Sequence, residues 1–255
     1  MKKMLIAGNW KMNTDIHSTA ALIKNIRDGI DDKKLKSEIL ACPPFTNISA
    51  AMAFADGSAI EIGAQNCYFE PKGAFTGEIS TEMISKLGCT HTIVGHSERR
   101  KFFGESNETV NRKAVAVLES GMRVIVCIGE TLEERQSGET LDVLSRQIRE
   151  SLAGLAKYPA ESIVVAYEPV WAIGTGLAAT SEQIDEAHTF IKQRIEESLG
   201  ANGARCLVLY GGSVTDENAK EILSLESVNG ALIGGASLKA DTFIRIIETA
   251  ESILG

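Results

Sequence analysis

Short apolar runs alternate with amphipathic ones along the whole chain. Ser162 to Tyr167 (SIVVAY) has no polar alternation and is rich in β-branched residues, which marks a strand buried on both faces. Met4 to Asn9, Ile39 to Cys42, Ile60 to Ala64, Thr90 to Gly95, Arg123 to Ile128, Arg205 to Tyr210 and Gly230 to Ile233 are the other strand candidates. After each comes a segment with helical period or helical start signals. Thr109 to Glu119 sets Val110, Ala114, Val117 and Leu118 on one face, and Gly121 stops it. Ser181 to Leu199 opens on capping-type residues and carries Ile184, Ala187, His188, Ile191 and Ile195 on one stripe. Strands alternating with helices predict a parallel sheet. About eight such units in one uninterrupted chain favour closure into an α/β, (β/α)8 barrel over an open doubly wound sheet.

Composition narrows the picture. The 255 residues suit one domain of that kind, 1–255, and 44% hydrophobic residues supply a core. A formal charge of −8 argues against nucleic-acid and anionic-membrane partners, which need a basic stripe. No apolar run approaches the roughly 20 residues of a membrane span. The opening MKKMLIAGNW has too short an apolar segment for a secretory leader and reads as a first strand. Five scattered cysteines (Cys42, Cys67, Cys89, Cys127 and Cys206), with no CxxC or Cys/His ligand spacing, point to reduced thiols, a cytoplasmic location and no metal site.

In such a barrel the chemistry gathers at the C-terminal strand ends. That criterion selects Asn9, Trp10 and Lys11 after the first strand and Gly95 to Arg100 after the fourth. It also selects Glu168 after the sixth, Gly211 to Ser213 after the seventh, and Gly234 with Gly235 after the eighth. Either glycine pair alone reads as a tight turn, but both fall on the two loops where this fold commonly holds phosphate. His96 and Glu168 are the acid/base candidates, although a lone His or Glu at a strand end is more often structural. Lys11 stands opposite to hold negative charge. The segment after His96 (SERRKFFG) predicts a short helix whose positive end favours a neutral imidazole. His17 and His188 fall in helical stretches and His91 opens a strand, so all three are assigned to structure, and Trp10 to packing. The fragment Gly174 to Ala179 fits a loose dinucleotide fingerprint, but it does not follow its strand directly and carries little weight.

Five segments then acquire a common meaning: AGNWKMN (Ala7 to Asn13), VGHSERR (Val94 to Arg100), AYEPVWAIGTG (Ala166 to Gly176), YGGSV (Tyr210 to Val214) and GALIGGASL (Gly230 to Leu238). Together, in order across the whole chain, they resemble the triosephosphate isomerase family of bacterial type. The resemblance implies a TIM barrel that interconverts dihydroxyacetone phosphate and glyceraldehyde 3-phosphate without a cofactor. It implies that Glu168 takes the proton and that His96, Lys11 and Asn9 stabilise the enediolate. Gly174, Ser213, Gly234 and Gly235 would hold the phosphate through backbone N–H groups. Glu98 resembles the family's acid near the Lys11 ammonium, and Cys127 a cysteine that supports the base. The apolar Val170 to Ile173, hinged at Pro169 and at Gly174 and Gly176, is expected to be a lid that excludes water. The long loop Gln65 to Ile79, with Phe69 and Phe75, would enter a second subunit, and Thr76 would reach that neighbour's Asn9 and Lys11. The aromatic tip supports a protein contact on its own. Thr180-Ser181 and Asn229 depart from the usual Thr-Pro and Asp, and the first bears on how the following helix starts.

Two other functions compete. A sugar-phosphate lyase or aldolase would want a Schiff-base lysine, and Lys11 alone is at the mouth. A silent scaffold barrel needs none of Lys11, His96 or Glu168.

Overall fold

The computed structural model describes residues 2–30, 35–172 and 179–255. Its strands close into a barrel in chain order: β1 (Leu5–Asn9), β2 (Glu38–Cys42), β3 (Ile60–Ala64), β4 (His91–Val94), β5 (Arg123–Ile128), β6 (Ile163–Tyr167), β7 (Leu207–Tyr210) and β8 (Gly230–Ile233). Every neighbouring pair is parallel, and β1 closes on β8 with Leu5 opposite Gly230. The barrel expected from the alternating pattern is therefore the fold.

Alternation along each strand makes two apolar layers. Leu5, Ala7, Leu40, Cys42, Ile93, Ile125, Cys127, Val164, Ala166, Leu209 and Leu232 form one cluster that fills the barrel. Their sequence neighbours, such as Ile6, Val126 and Val165, join a second cluster shared with the surrounding helices. This is why β6 shows no polar alternation: Val164 and Ala166 face one apolar layer, and Ile163, Val165 and Tyr167 the other.

The helices are α1 (Ile16–Gly29), α2 (Ile48–Ala55), α3 (Thr81–Lys86), α4 (Ser97–Phe103), α5 (Asn107–Glu119), α6 (Leu132–Gln136), α7 (Thr140–Ser151), α8 (Ser181–Leu199), α9 (Ala219–Ser224) and α10 (Ala240–Leu254). Side-chain caps set several starts. Ser106 accepts from the Thr109 N–H, so α5 begins two residues before the expected Thr109. Thr180 and Gln183 form a capping box that starts α8 at Ser181, so the absence of proline there leaves the helix start intact. β7 begins at Leu207 rather than Arg205 because Ala201–Arg205 is taken up by a 3-10 turn.

The loop from Gln65 to Ile79 packs on its own rings. Tyr68 lies 4.2 Å from Phe69 and 4.7 Å from Phe75, and the Arg112 guanidinium sits 3.6 Å over Phe69. Among the described residues, no helix is long and apolar enough to cross a membrane.

Candidate active site

The C-terminal strand ends bring Asn9, Lys11, His96, Glu98, Glu168, Ser213, Gly234 and Gly235 around one cavity of about 360 Å³. Eight separated positions of the sequence thus share a single mouth. Cys127 instead lies inside the barrel wall, and Thr76 is exposed on its loop away from this cavity. Gly174 lies outside the described residues, as do Ile173 and Gly176 of the expected lid.

Glu168 directly follows β6 and is only 2% exposed. Its Oε1 stands 2.8 Å from His96 Nε2, and its Oε2 accepts the Ser97 N–H at 2.8 Å. Burial pushes the carboxyl pKa up, but His96, the Ser97 N–H and the Lys11 charge outweigh it and hold the net direction below the ordinary value. The carboxylate is therefore ionised and desolvated at neutral pH.

His96 caps α4, its Nδ1 accepting the Glu98 N–H at 3.2 Å. That bond needs the lone pair of Nδ1, so the ring's proton sits on Nε2, facing Glu168. The helix field alone suggested a depressed pKa. Burial does act downward, but the nearby Glu168 and then Glu98 carboxylates outweigh it, and the net direction is upward. This corrects the expectation from spacing, which could not show a carboxylate 2.8 Å away. Gly95, at φ +69°, makes the turn from β4 into His96 in a left-handed conformation, and a Cβ there would stand 2.7 Å from Val110.

Lys11 reaches in from the opposite side. Its Nζ is 2.6 Å from Glu98 Oε1, and its stem lies against Gly234, where an added Cβ would stand 3.5 Å from Lys11 Cε. Lys11 holds φ +52°, a left-handed backbone that costs a non-glycine residue about 1–2 kcal/mol. Asn9, buried beside it, accepts the Lys11 N–H on Oδ1 at 3.1 Å. On the same side, Ser237 Oγ lies 2.7 Å from the Gly234 carbonyl and 3.0 Å from that of Ile233, which ties down the loop after β8. Asn218 does the same after β7, donating to the Ser213 carbonyl at 3.1 Å and accepting the Thr215 N–H at 2.8 Å.

A family model described as Triosephosphate isomerase matches residues 4–250. The chain belongs to the triosephosphate isomerase family. The triosephosphate isomerase of Magnetococcus marinus is 47% identical over 254 residues, covering 97% of this chain and 98% of that protein. That of Aquifex aeolicus is 46% identical over 245 residues, covering 96% and 98%. The crystal structure of triosephosphate isomerase from Bartonella henselae superposes with a TM-score of 0.88 at 43% identity, covering 96% of this chain and 98% of that one.

Some supports of this triosephosphate isomerase family site carry no sequence signal. Glu130 is fully buried, and its Oε1 accepts from Trp171 Nε1 at 2.8 Å, from the Tyr167 hydroxyl at 3.2 Å and from Arg135 at 3.2 Å. With the Glu130 carbonyl accepting the Val170 N–H at 3.1 Å, it holds Val170–Ala172 against β5 and β6. Gly129 is required for close approach, since a Cβ there would land 1.7 Å from the Glu168 carbonyl oxygen. Both residues sit in ordinary βα-loop sequence, and only their partners reveal what they do.

Proposed function

We propose that this cavity interconverts dihydroxyacetone phosphate and D-glyceraldehyde 3-phosphate by proton transfer through an enediolate, with Glu168 as the base. The triose-phosphate isomerase activity follows from family membership, and the residue roles are our reading of the geometry. The observation that carries them is a buried, ionised carboxylate beside an imidazole Nε2, with an ammonium and two glycine loops completing the same cavity.

The chemistry balances with protons alone and calls for no cofactor. Glu168 removes a proton from the carbon beside the substrate carbonyl, and the electron pair moves onto the carbonyl oxygen. His96 Nε2–H, the Lys11 ammonium and the Asn9 amide donate toward that oxygen, where negative charge grows. Returning the proton to the neighbouring carbon, with the hydroxyl proton exchanged between the two oxygens, completes the isomerisation. When Glu168 takes the substrate's proton its charge is lost, and with it the main influence that raises the imidazole pKa, leaving a neutral donor. Ser213, Gly234 and Gly235 present the phosphate with backbone N–H groups, with Lys11 close to Gly234. Lys11, paired to Glu98 at 2.6 Å, holds charge rather than forming a Schiff base, which weighs against an aldolase. A coupled assay with both triose phosphates tests the activity directly, and silence in both directions would leave a binding barrel.

We read the working form as a cytoplasmic homodimer, active in glycolysis and gluconeogenesis. Five free cysteines, all buried, suit a reducing compartment. Phe75 and the loop tip at Thr76 are exposed, and Met12, beside Lys11 in sequence, is 96% exposed. Such apolar surface supports a second copy covering it, with Thr76 near the neighbour's Asn9 and Lys11. Thr76→Arg should yield a monomer of low activity when sedimentation and turnover are measured together. An active monomer would remove the loop from the site.

A further inference from the structure

We propose that Gln65 is a positioning residue for Lys11: it fixes the strained backbone from which the ammonium is aimed into the cavity. The proposal rests on the reading that Lys11 holds the substrate's negative charge. Gln65 itself does not line the cavity.

Lys11 and Thr14 are the non-glycine residues at positive φ among the described residues. Such a conformation persists only where the surroundings over-determine it. For Lys11 the restraints bracket the residue. On its N-terminal side the Lys11 N–H donates to Asn9 Oδ1 at 3.1 Å. On its C-terminal side the Lys11 carbonyl accepts from Gln65 Nε2 at 2.9 Å. One bond holds the peptide plane before Cα and the other the plane after it, so φ and ψ are both set. The direction of the Cα–Cβ bond follows, and with it the origin of a long, flexible side chain that passes Gly234 on its way to Glu98.

Gln65 is itself anchored. The same Nε2 donates to the carbonyl of Cys42, the last residue of β2, at 2.8 Å. A carboxamide nitrogen has two hydrogens, and both are committed. The Cys42 carbonyl also accepts the Trp10 N–H at 3.1 Å, so the residue before Lys11 hangs from the same atom. Gln65 directly follows β3, and its side chain therefore ties together the ends of three adjacent strands. Methionine has similar length and no donor. Asparagine is one methylene too short to reach both carbonyls.

The test is a cycle of Gln65→Met, Lys11→Ala and the double variant, with calorimetric affinity for inorganic phosphate, kcat, KM, sedimentation and melting temperature measured on each. Gln65→Met should weaken phosphate binding and raise KM by roughly tenfold, with a smaller change in kcat, because the charge is misaimed and the base untouched. In the Lys11→Ala background, Gln65→Met should change phosphate affinity by less than about twofold, since its effect runs through the ammonium. Gln65→Asn, which keeps the carboxamide but reaches only one of the two carbonyls, should fall between wild type and Gln65→Met, and it serves if the methionine variant does not fold. Equal losses of phosphate affinity in the presence and absence of Lys11 would overturn the proposal. So would a lower melting temperature or a lost dimer with phosphate affinity unchanged. If Lys11→Ala keeps wild-type turnover and phosphate affinity, the reading of Lys11 falls first, and Gln65 has nothing to position.

Discussion

The two ends of the barrel hold cavities of nearly equal size, about 360 Å³ at the C-terminal mouth and about 320 Å³ at the N-terminal one. Both are lined by charge. At the N-terminal end most of the lining charges pair with one another, Arg123 with Glu38 and Arg205 with Glu161 at 2.6 Å, with Lys3 beside them. Both pairs are partly open to water. At the C-terminal end a carboxylate is desolvated, a lysine backbone is strained, and two glycine loops leave room beside them. Volume does not separate the two mouths. What separates them is whether the charges are satisfied by one another or kept in costly surroundings that a substrate can use.

That contrast can be broken in four places. Glu168→Gln keeps the shape and removes the acceptor, and turnover should fall by about 10²–10⁴-fold while inorganic phosphate still binds. Near-normal turnover would assign the proton to another group. Gly129→Ala drives a methyl into the Glu168 carbonyl oxygen, so the base moves with its strand end. We expect about a 10²-fold loss in kcat together with a lower denaturant midpoint, worth about 1–3 kcal/mol. An unchanged kcat in that variant would detach the position of Glu168 from the β5–β6 contact.

His188 sharpens the comparison from the helix layer outside the barrel. It is fully buried behind Tyr167 and Tyr210, 5.8 Å and 6.3 Å between ring centres, and burial pushes its pKa down to about 3. The unfolded chain takes up this proton near the ordinary value of 6.5 and the folded one only near 3, so stability present above pH 6.5 is lost as pH falls toward 3. By pH 5 the loss amounts to about 2 kcal/mol. His188→Phe should flatten the melting temperature over that window, and an unchanged acid slope would clear His188 of the effect. Smallest of all is Arg205→Ala at the N-terminal mouth, where a half-exposed pair with Glu161 is worth about 0.2–1 kcal/mol. Its kcat and phosphate affinity should match wild type, and a fall in either would mean that the two ends are coupled.

Much of this was readable beforehand because it is local or periodic. Strands buried on two faces, capped helices and glycine pairs at strand ends are written in neighbouring residues. A closed barrel turns strand ends into one ring, so Asn9, Lys11, His96, Glu168, Ser213, Gly234 and Gly235 could be named without coordinates. The starts of α5 and β7 each moved by two residues because a cap and a 3-10 turn decide them.

The sequence by itself therefore determined the order of elements, the mouth that carries the chemistry and the residues at its rim. Only the tertiary structure decided their electrostatics and their supports. The upward shift at His96 comes from a carboxylate 72 positions away in the chain and 2.8 Å away in space. Gln65 holding Lys11, Glu130 holding Trp171 and Gly129 making room for Glu168 are likewise distant or featureless in sequence. The physical reason is range. Propensity and hydrophobic period act within a few residues, whereas Coulomb fields, hydrogen bonds and steric exclusion depend on distances that closure of the barrel creates.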